Sequence, residues 1–250
     1  MPADARYVEW APRHSPADRV ACVWVSRPNQ VAAGLVLPDA CLDIIWDGSR
    51  LFVAGPDTGP VAVEPGQVAA YAGVRFQPGK APGFLGVPAS ELLDGRFDLS
   101  DLWGRAPAGR LAERLAAAPN PEAAADVLDA EVGRLAATAR EPDLIIDALV
   151  SWLTSSPDSF AAVRAASRTL SVGERSLHRR CCAAVGYGPK LLERVLRFQR
   201  ALRLAPRCRS LAALAADSGY ADQAHLTREC RRLAGATPSD LFKTVRSPAA

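Results

Sequence analysis

One pattern occurs twice in the last third of this chain, and it restricts the possible folds more than any other feature. Leu177-His178-Arg179-Arg180-Cys181-Cys182-Ala183-Ala184-Val185-Gly186-Tyr187-Gly188-Pro189 is followed 49 residues later by Leu226-Thr227-Arg228-Glu229-Cys230-Arg231-Arg232-Leu233-Ala234-Gly235-Ala236-Thr237-Pro238. Both read Leu-x-Arg-x-Cys-x4-Gly-x-x-Pro. Identities held at one fixed offset indicate two copies of a single supersecondary unit.

The second copy shows what the unit is. Leu211–Ala216 reads as a short helix with Leu211, Leu214 and Ala215 inward, and Asp217-Ser218-Gly219-Tyr220 breaks it. Gly219 suits the left-handed conformation of a tight interhelical turn. Asp222 is a good N-cap for a helix over Gln223–Ala234. Gly235 ends that helix, and Pro238 is expected to keep it from resuming. Helix, short turn, helix is the helix-turn-helix plan. In the first copy Phe160–Ser167 supplies the leading helix, and Ser171 or Gly173 caps the next one, Glu174–Val185.

Side-chain direction then selects candidate functional residues. Leu177 and Cys181, like Leu226 and Cys230, are four apart and share a buried face. Arg179 and Arg228 lie two residues from those anchors and point elsewhere. Arg175 and His178 share the exposed face of the first copy, and Ala224 and Thr227 that of the second. With the first helical residues, Glu174 and Gln223, these eight are the candidate DNA contacts. Arginine donates bidentately to guanine O6 and N7 in the major groove. The bland alternative is a surface arginine in an ion pair; a matched arginine on both copies favours the groove reading. Between the copies, Lys190–Leu204 carries a wide apolar face able to tie both motifs into one body. Arg194, Arg197, Arg200 and Arg203 lie off that stripe and are expected to meet phosphates.

Charge follows the same division. Residues 160–250 hold 17 Lys and Arg against 6 Asp and Glu, a charge of +11, while residues 1–159 carry −8. A basic C-terminal unit on an acidic partner suggests a polyanion-binding module joined to something else. A solvated Arg-rich helical surface is the alternative. No run approaches the ~18 apolar residues of a membrane span, and the N-terminus lacks an apolar signal core, so a cytoplasmic protein is expected. Six cysteines without Cys-x-x-Cys spacing, and only three histidines (His14, His178, His225), argue against a disulfide scaffold, a metal centre or a cofactor. Cys22 and Cys41 are read as free thiols.

Residues 1–105 read as mostly β. Arg19–Val25, Leu42–Trp46, Leu51–Ala54, Val61–Val63 and Val68–Phe76 are short strand-like runs parted by Gly and Pro. Asp47-Gly48 falls between two of them, where a hairpin turn needs φ > 0. A small cupin-like barrel or sandwich is expected, with a helical piece near Pro88–Leu93. Residues 106–156 form a helical connector. Its stripes are Leu111, Leu115 and Ala118; Val127, Leu128, Val132 and Leu135; and Leu144, Ile145, Ala148, Leu149 and Trp152. They need a partner surface, either a second subunit or the β domain. Residues 157–250 form the double helix-turn-helix, so the fold class is α+β. Asp39, Asp43 and Arg75 are candidate ligand-binding groups, set against their pairing with one another. Trp24, Trp46 and Phe76 line a pocket or fill the core.

The C-terminal segment resembles the AraC/XylS family of bacterial transcription regulators, which carry two helix-turn-helix units joined by a long helix. The resemblance covers about Phe160–Leu241. It rests on Leu177–Arg180, Gly186–Pro189, Arg197–Leu202 and, most specifically, Ala215-Ala216-Asp217-Ser218-Gly219-Tyr220-Ala221-Asp222-Gln223-Ala224-His225-Leu226-Thr227-Arg228. It implies that Arg175, Arg179, Thr227 and Arg228 are among the residues that reach DNA. Cys181 and Cys230 stand where the family usually has Phe, and the first turn, Leu170-Ser171-Val172-Gly173, lacks the second copy's Gly-Tyr. Leu37–Ile45, Gly73–Gly79 and Leu102-Trp103-Gly104 resemble the sensor-position domain of a subgroup of these regulators. The resemblance implies double-stranded DNA and RNA polymerase as partners, with a small effector and homodimerisation at the N-terminal domain. The leading function is sequence-specific transcription regulation without enzymatic activity. The alternative is a DNA-modifying or metal-dependent enzyme with a helix-turn-helix targeting arm.

Overall fold

The structure is a computed structural model, and it describes residues 7–28, 34–63, 68–155 and 167–246. Strands β1 (Tyr7–Trp10), β2 (Val20–Ser26), β3 (Gly34–Val36), β4 (Asp43–Trp46), β5 (Leu51–Ala54), β6 (Val61–Val63), β7 (Tyr71–Phe76) and β8 (Arg96–Asp98) make two antiparallel sheets. The larger has the order β1-β2-β7-β4-β5-β8, and β3 pairs with β6 in a separate ribbon. The β-rich N-terminal domain is as expected; of the barrel or sandwich anticipated, the larger sheet does not close into a barrel, since it ends at two edges, β1 and β8. The Asp47-Gly48 turn closes the β4–β5 hairpin as expected: Gly48 has φ 95°, and the Asp47 carboxylate accepts from the backbone N–H of Ser49 and Arg50.

Period-two alternation divides the sheet into two faces. Val23, Val25, Ile44, Trp46, Leu51, Val53, Ala72, Val74 and Phe76 join one core with the helices α3 (Arg105–Ala116) and α4 (Pro121–Ala136). Trp46 and Phe76 are thus core residues. Cys22, Trp24, Ile45, Phe52 and Ala54 form a smaller cluster on the opposite face. There the Trp24 indole lies against Gly73, where any Cβ would sit 2.4 Å from the ring. Short helices α1 (Pro82–Leu85) and α2 (Leu99–Trp103) and a 3-10 turn (Ala89–Glu91) complete this half.

Helix α4 starts as the sequence indicates, with Pro121 at its first position and the Asn120 side chain accepting from the Ala123 N–H. Leu111, Leu115, Leu128 and Val132 turn onto the sheet, so these stripes find their partner within the chain. Helix α5 (Leu144–Ser155) behaves differently. It buries Ile146, Leu149 and Leu153, of which Leu149 alone belongs to the expected stripe; Ile145 and Trp152 pack partly buried against the same core, and Leu144 is 77% exposed. The buried residues belong to the C-terminal core, so the segment 106–156 divides between two cores.

That C-terminal core is continuous through α5, α6 (Glu174–Val185), α7 (Pro189–Leu204), α8 (Leu211–Asp217), α9 (Gln223–Ala234) and α10 (Pro238–Arg246). Leu192, Val195, Phe198 and Ala201 of α7 sit at its centre. Pro189 and Pro238 each open a helix, whereas Pro238 was expected only to prevent one. The first turn of a helix has no use for the missing N–H. The leading helix expected at 160–167 lies outside the described residues except for Ser167.

Asp129 holds the N-terminal loop to α4. It is fully buried, and its carboxylate accepts the backbone N–H groups of Arg13, His14 and Ser15, at 2.8, 2.9 and 3.0 Å. Burial alone would raise its pKa; the hydrogen bonds outweigh that and hold it below the usual Asp value. Asp129→Ala leaves three backbone donors unpaired and is expected to cost about 2–4 kcal/mol in urea unfolding. Because the folded-state pKa is lowered, this stabilisation is present above the unfolded Asp value of about 4 and is lost as pH falls below it. The acid limb of the variant's stability profile should therefore be flatter than that of the parent.

Candidate nucleic-acid interface

The two repeated helices, α6 and α9, are both 12 residues long and offset by the repeat period at each end. Leu177 and Cys181 are fully buried, as are Leu226 and Cys230. Burial pushes the thiols of Cys181 and Cys230 up to about 12, so they act as core side chains. With those anchors inward, Glu174, Arg175, His178 and Arg179 are exposed on α6, and Gln223, Ala224 and Arg228 on α9. Neither Arg179 nor Arg228 makes an ion pair with a described residue. Thr227 is half-buried, and its hydroxyl donates to the Gln223 carbonyl. Gln223, Ala224, Thr227 and Arg228 line one open crevice, together with Arg231, which the sequence reading left out. Arg231 lies three residues beyond Arg228, a spacing that puts it on the same face.

The capping groups follow the chemistry of each turn. The Asp222 carboxylate accepts from the His225 N–H at 2.6 Å, and Gly235 closes α9 with φ 67°. Gly173 is the N-cap of α6, without a side-chain bond; Ser171 does not cap it. Ser171 instead does the work of Gly219. In the second unit the N–H groups of Gly219 and Tyr220 donate to Ala216 and Ala215; in the first, those of Ser171 and Val172 donate to Arg168 and Ser167. Both are the paired C-terminal bonds of a helix ending in a left-handed residue. Ser171 takes φ 52° and Gly219 φ 80°. The first turn is one residue shorter, and a serine in the glycine position conceals it in the sequence.

The arginines of α7 correct the phosphate expectation. Arg194 is paired with Glu229, Arg197 with Glu193 and over the Tyr220 ring, and Arg200 donates to the Thr154 carbonyl. Their stems border the buried stripe and their heads are taken by protein acceptors. Arg203 remains exposed.

The first unit also touches the sheet domain. Gly186, at φ 99°, approaches so closely that a Cβ would stand 2.5 Å from Pro56 Cγ and 3.3 Å from the Ala89 carbonyl oxygen. The Gln199 amide donates to the Pro38 carbonyl at 2.7 Å, and Lys80 pairs with Asp147 of α5 at 2.6 Å. Tyr187 is buried there, its pKa raised by burial and by the nearby Asp39. Asp39, Asp43 and Arg75 are brought together beside it. Arg75 meets Asp43 at 3.1 Å and Asp39 at 3.4 Å. Asp43 also accepts from the Trp24 indole, and Asp39 from the Cys41 N–H. Burial raises the Asp39 pKa against the pull of Arg75.

Comparison with known proteins fits this geometry. Residues 166–244 match a family described as a helix-turn-helix domain, and residues 8–98 match a domain of unknown function, DUF6597. No curated protein matches the chain. Among solved structures, a lysine-to-alanine variant of apo ToxT from Vibrio cholerae is similar, with TM-score 0.50, 12% identity, and coverage of 92% of this chain and 99% of that one. Another ToxT structure from Vibrio cholerae gives TM-score 0.49, 11% identity, and coverage of 88% and 97%.

The left-handed turns give a direct test. Ser171→Gly relieves a side chain held at positive φ and is expected to stabilise the protein by about 1 kcal/mol in chemical denaturation, while Gly219→Ala should destabilise it by at least about 1 kcal/mol.

Proposed function

We propose that the chain is a DNA-binding transcription regulator of the AraC type, a reading supported by the helix-turn-helix domain match at residues 166–244, and that it reads two successive major grooves, α6 in one and α9 in the next, about 34 Å apart on one face of the duplex. The observation that carries this reading is the pair of exposed arginines, Arg179 and Arg228, at one point of a duplicated helix whose other face is fully buried. In this reading each would donate bidentately to a guanine edge. Glu174, Arg175 and His178 flank the first, and Gln223, Ala224 and Thr227 the second. Arg203 and Arg231, both exposed, are the phosphate contacts this reading favours.

The sheet domain is the signal-receiving part in this proposal, with residues 1–105 as its β portion. It bears on the first reading unit through Gly186 and Tyr187. A small effector would meet Asp39, Asp43 and Arg75, which converge on the sheet face opposite α3 and α4. The β3–β6 ribbon, with Leu35 and Val36 exposed, is the surface that favours pairing with a second copy. RNA polymerase is the partner through which a bound regulator of this type would act. No described helix is long and apolar enough to cross a membrane.

In-vitro selection of duplexes with the full chain tests the reading. The parent should recover a site with two sub-sites one helical turn apart. Arg228→Ala should lose about 1–3 kcal/mol at one base pair of one sub-site, and Arg179→Ala the same at the other. Equal binding of selected and random duplex by the parent would overturn direct readout.

A further inference from the structure

We propose that Glu229 and Arg194 form a positioning pair that sets the rotation of α9, and that Arg180 and Asp143 do the same for α6. The proposal rests on the reading above and assigns new roles within it. Glu229 follows Arg228 directly and is buried on the reading helix. Its carboxylate takes two bonds from the Arg194 guanidinium, at 2.7 and 3.2 Å. Arg194 lies in α7, whose buried face forms the centre of the core. A two-point bond between planar groups fixes orientation as well as distance. Successive helical residues are about 100° apart around the axis, so fixing Glu229 fixes the direction in which Arg228 leaves the helix.

The first unit carries an ion pair at the same point with the signs exchanged, held by a single bond and more open to solvent. Arg180 occupies the Glu229 position of the repeat and also follows its reading arginine. It donates to Asp143, immediately before α5, at 2.8 Å. Helix α5 packs on α6 as α7 packs on α9. An acid and a base have changed places between the copies, yet each pair still joins the residue after the reading arginine to the helix before its motif. Side chains serving only solubility would have no reason to meet at this point twice. The lock itself, not the sign of either partner, is the shared element.

The test uses the full chain and duplexes selected by the parent. Glu229→Gln keeps the shape and removes the charge. Base discrimination at the α9 sub-site should fall at least about fivefold, with discrimination at the α6 sub-site and affinity for random duplex unchanged. The exchanged pair, Arg194→Glu with Glu229→Arg, copies the polarity of the first unit and should restore discrimination, while either exchange alone should not. If Glu229→Gln fails to fold, Glu229→Asp keeps the charge with a shorter reach and should give the same loss confined to one sub-site. Unchanged discrimination, or an equal loss at both sub-sites, overturns the positioning role and leaves the DNA-reading assignment standing. A parent that selects no sequence overturns both.

Discussion

Everything the C-terminal half does depends on one apolar core shared by both helix-turn-helix units. Leu192, Val195, Phe198 and Ala201 run down one side of α7 and meet α5 and α6 on one hand and α8 and α9 on the other. Neither unit closes a core alone. A short helix pair buries too little surface to offset the entropy of ordering it. Burying Leu177 with Cys181, and Leu226 with Cys230, turns the opposite faces of α6 and α9 outward. The exposure of Arg179 and Arg228 is therefore a consequence of packing.

The sheet domain solves a different problem. Its strands alternate so that one face packs on α3 and α4, while the other gathers Trp24, Ile45 and Phe52 beside the Asp39–Asp43–Arg75 cluster. Two carboxylates share one guanidinium there, and Tyr187 of the first helix-turn-helix unit is buried close by. The tie between the halves is thus part polar and part apolar on the sheet side, where Ala40 and Leu37 join the C-terminal core, and glycine-dependent on the helical side. Gly186 permits the approach because nothing larger fits against Pro56.

Much of this was legible in the sequence because the signals are local. The repeat period, Asp222, Gly219 and Gly235 place α8, the turn and α9 closely, and Pro121 marks the start of α4. Long-range partners were not legible. The α7 arginines look like phosphate ligands on a helical wheel, but Glu229 and Thr154 reach them from elsewhere in the fold. Helix α5 was misjudged for a related reason: with apolar residues at 144, 145, 146, 149 and 153, tertiary packing decides which of them turn inward. The open edges of the sheet escape any reading of strand composition, since closure depends on which strands meet. Ser171 hid a turn because serine carries no signature of positive φ.

The reversed polarity of the two ion pairs also matters while the chain is folding. A polypeptide with two similar units can dock the wrong copy against the central rod, and Leu177 and Cys181 would fit the cavity meant for Leu226 and Cys230. In that arrangement Arg180 would arrive opposite Arg194, bringing two guanidinium groups together in place of an ion pair. Like charge thereby raises the energy of the exchanged topology relative to the native one. The swap of acid and base thus labels each half with an address that its near-twin does not share.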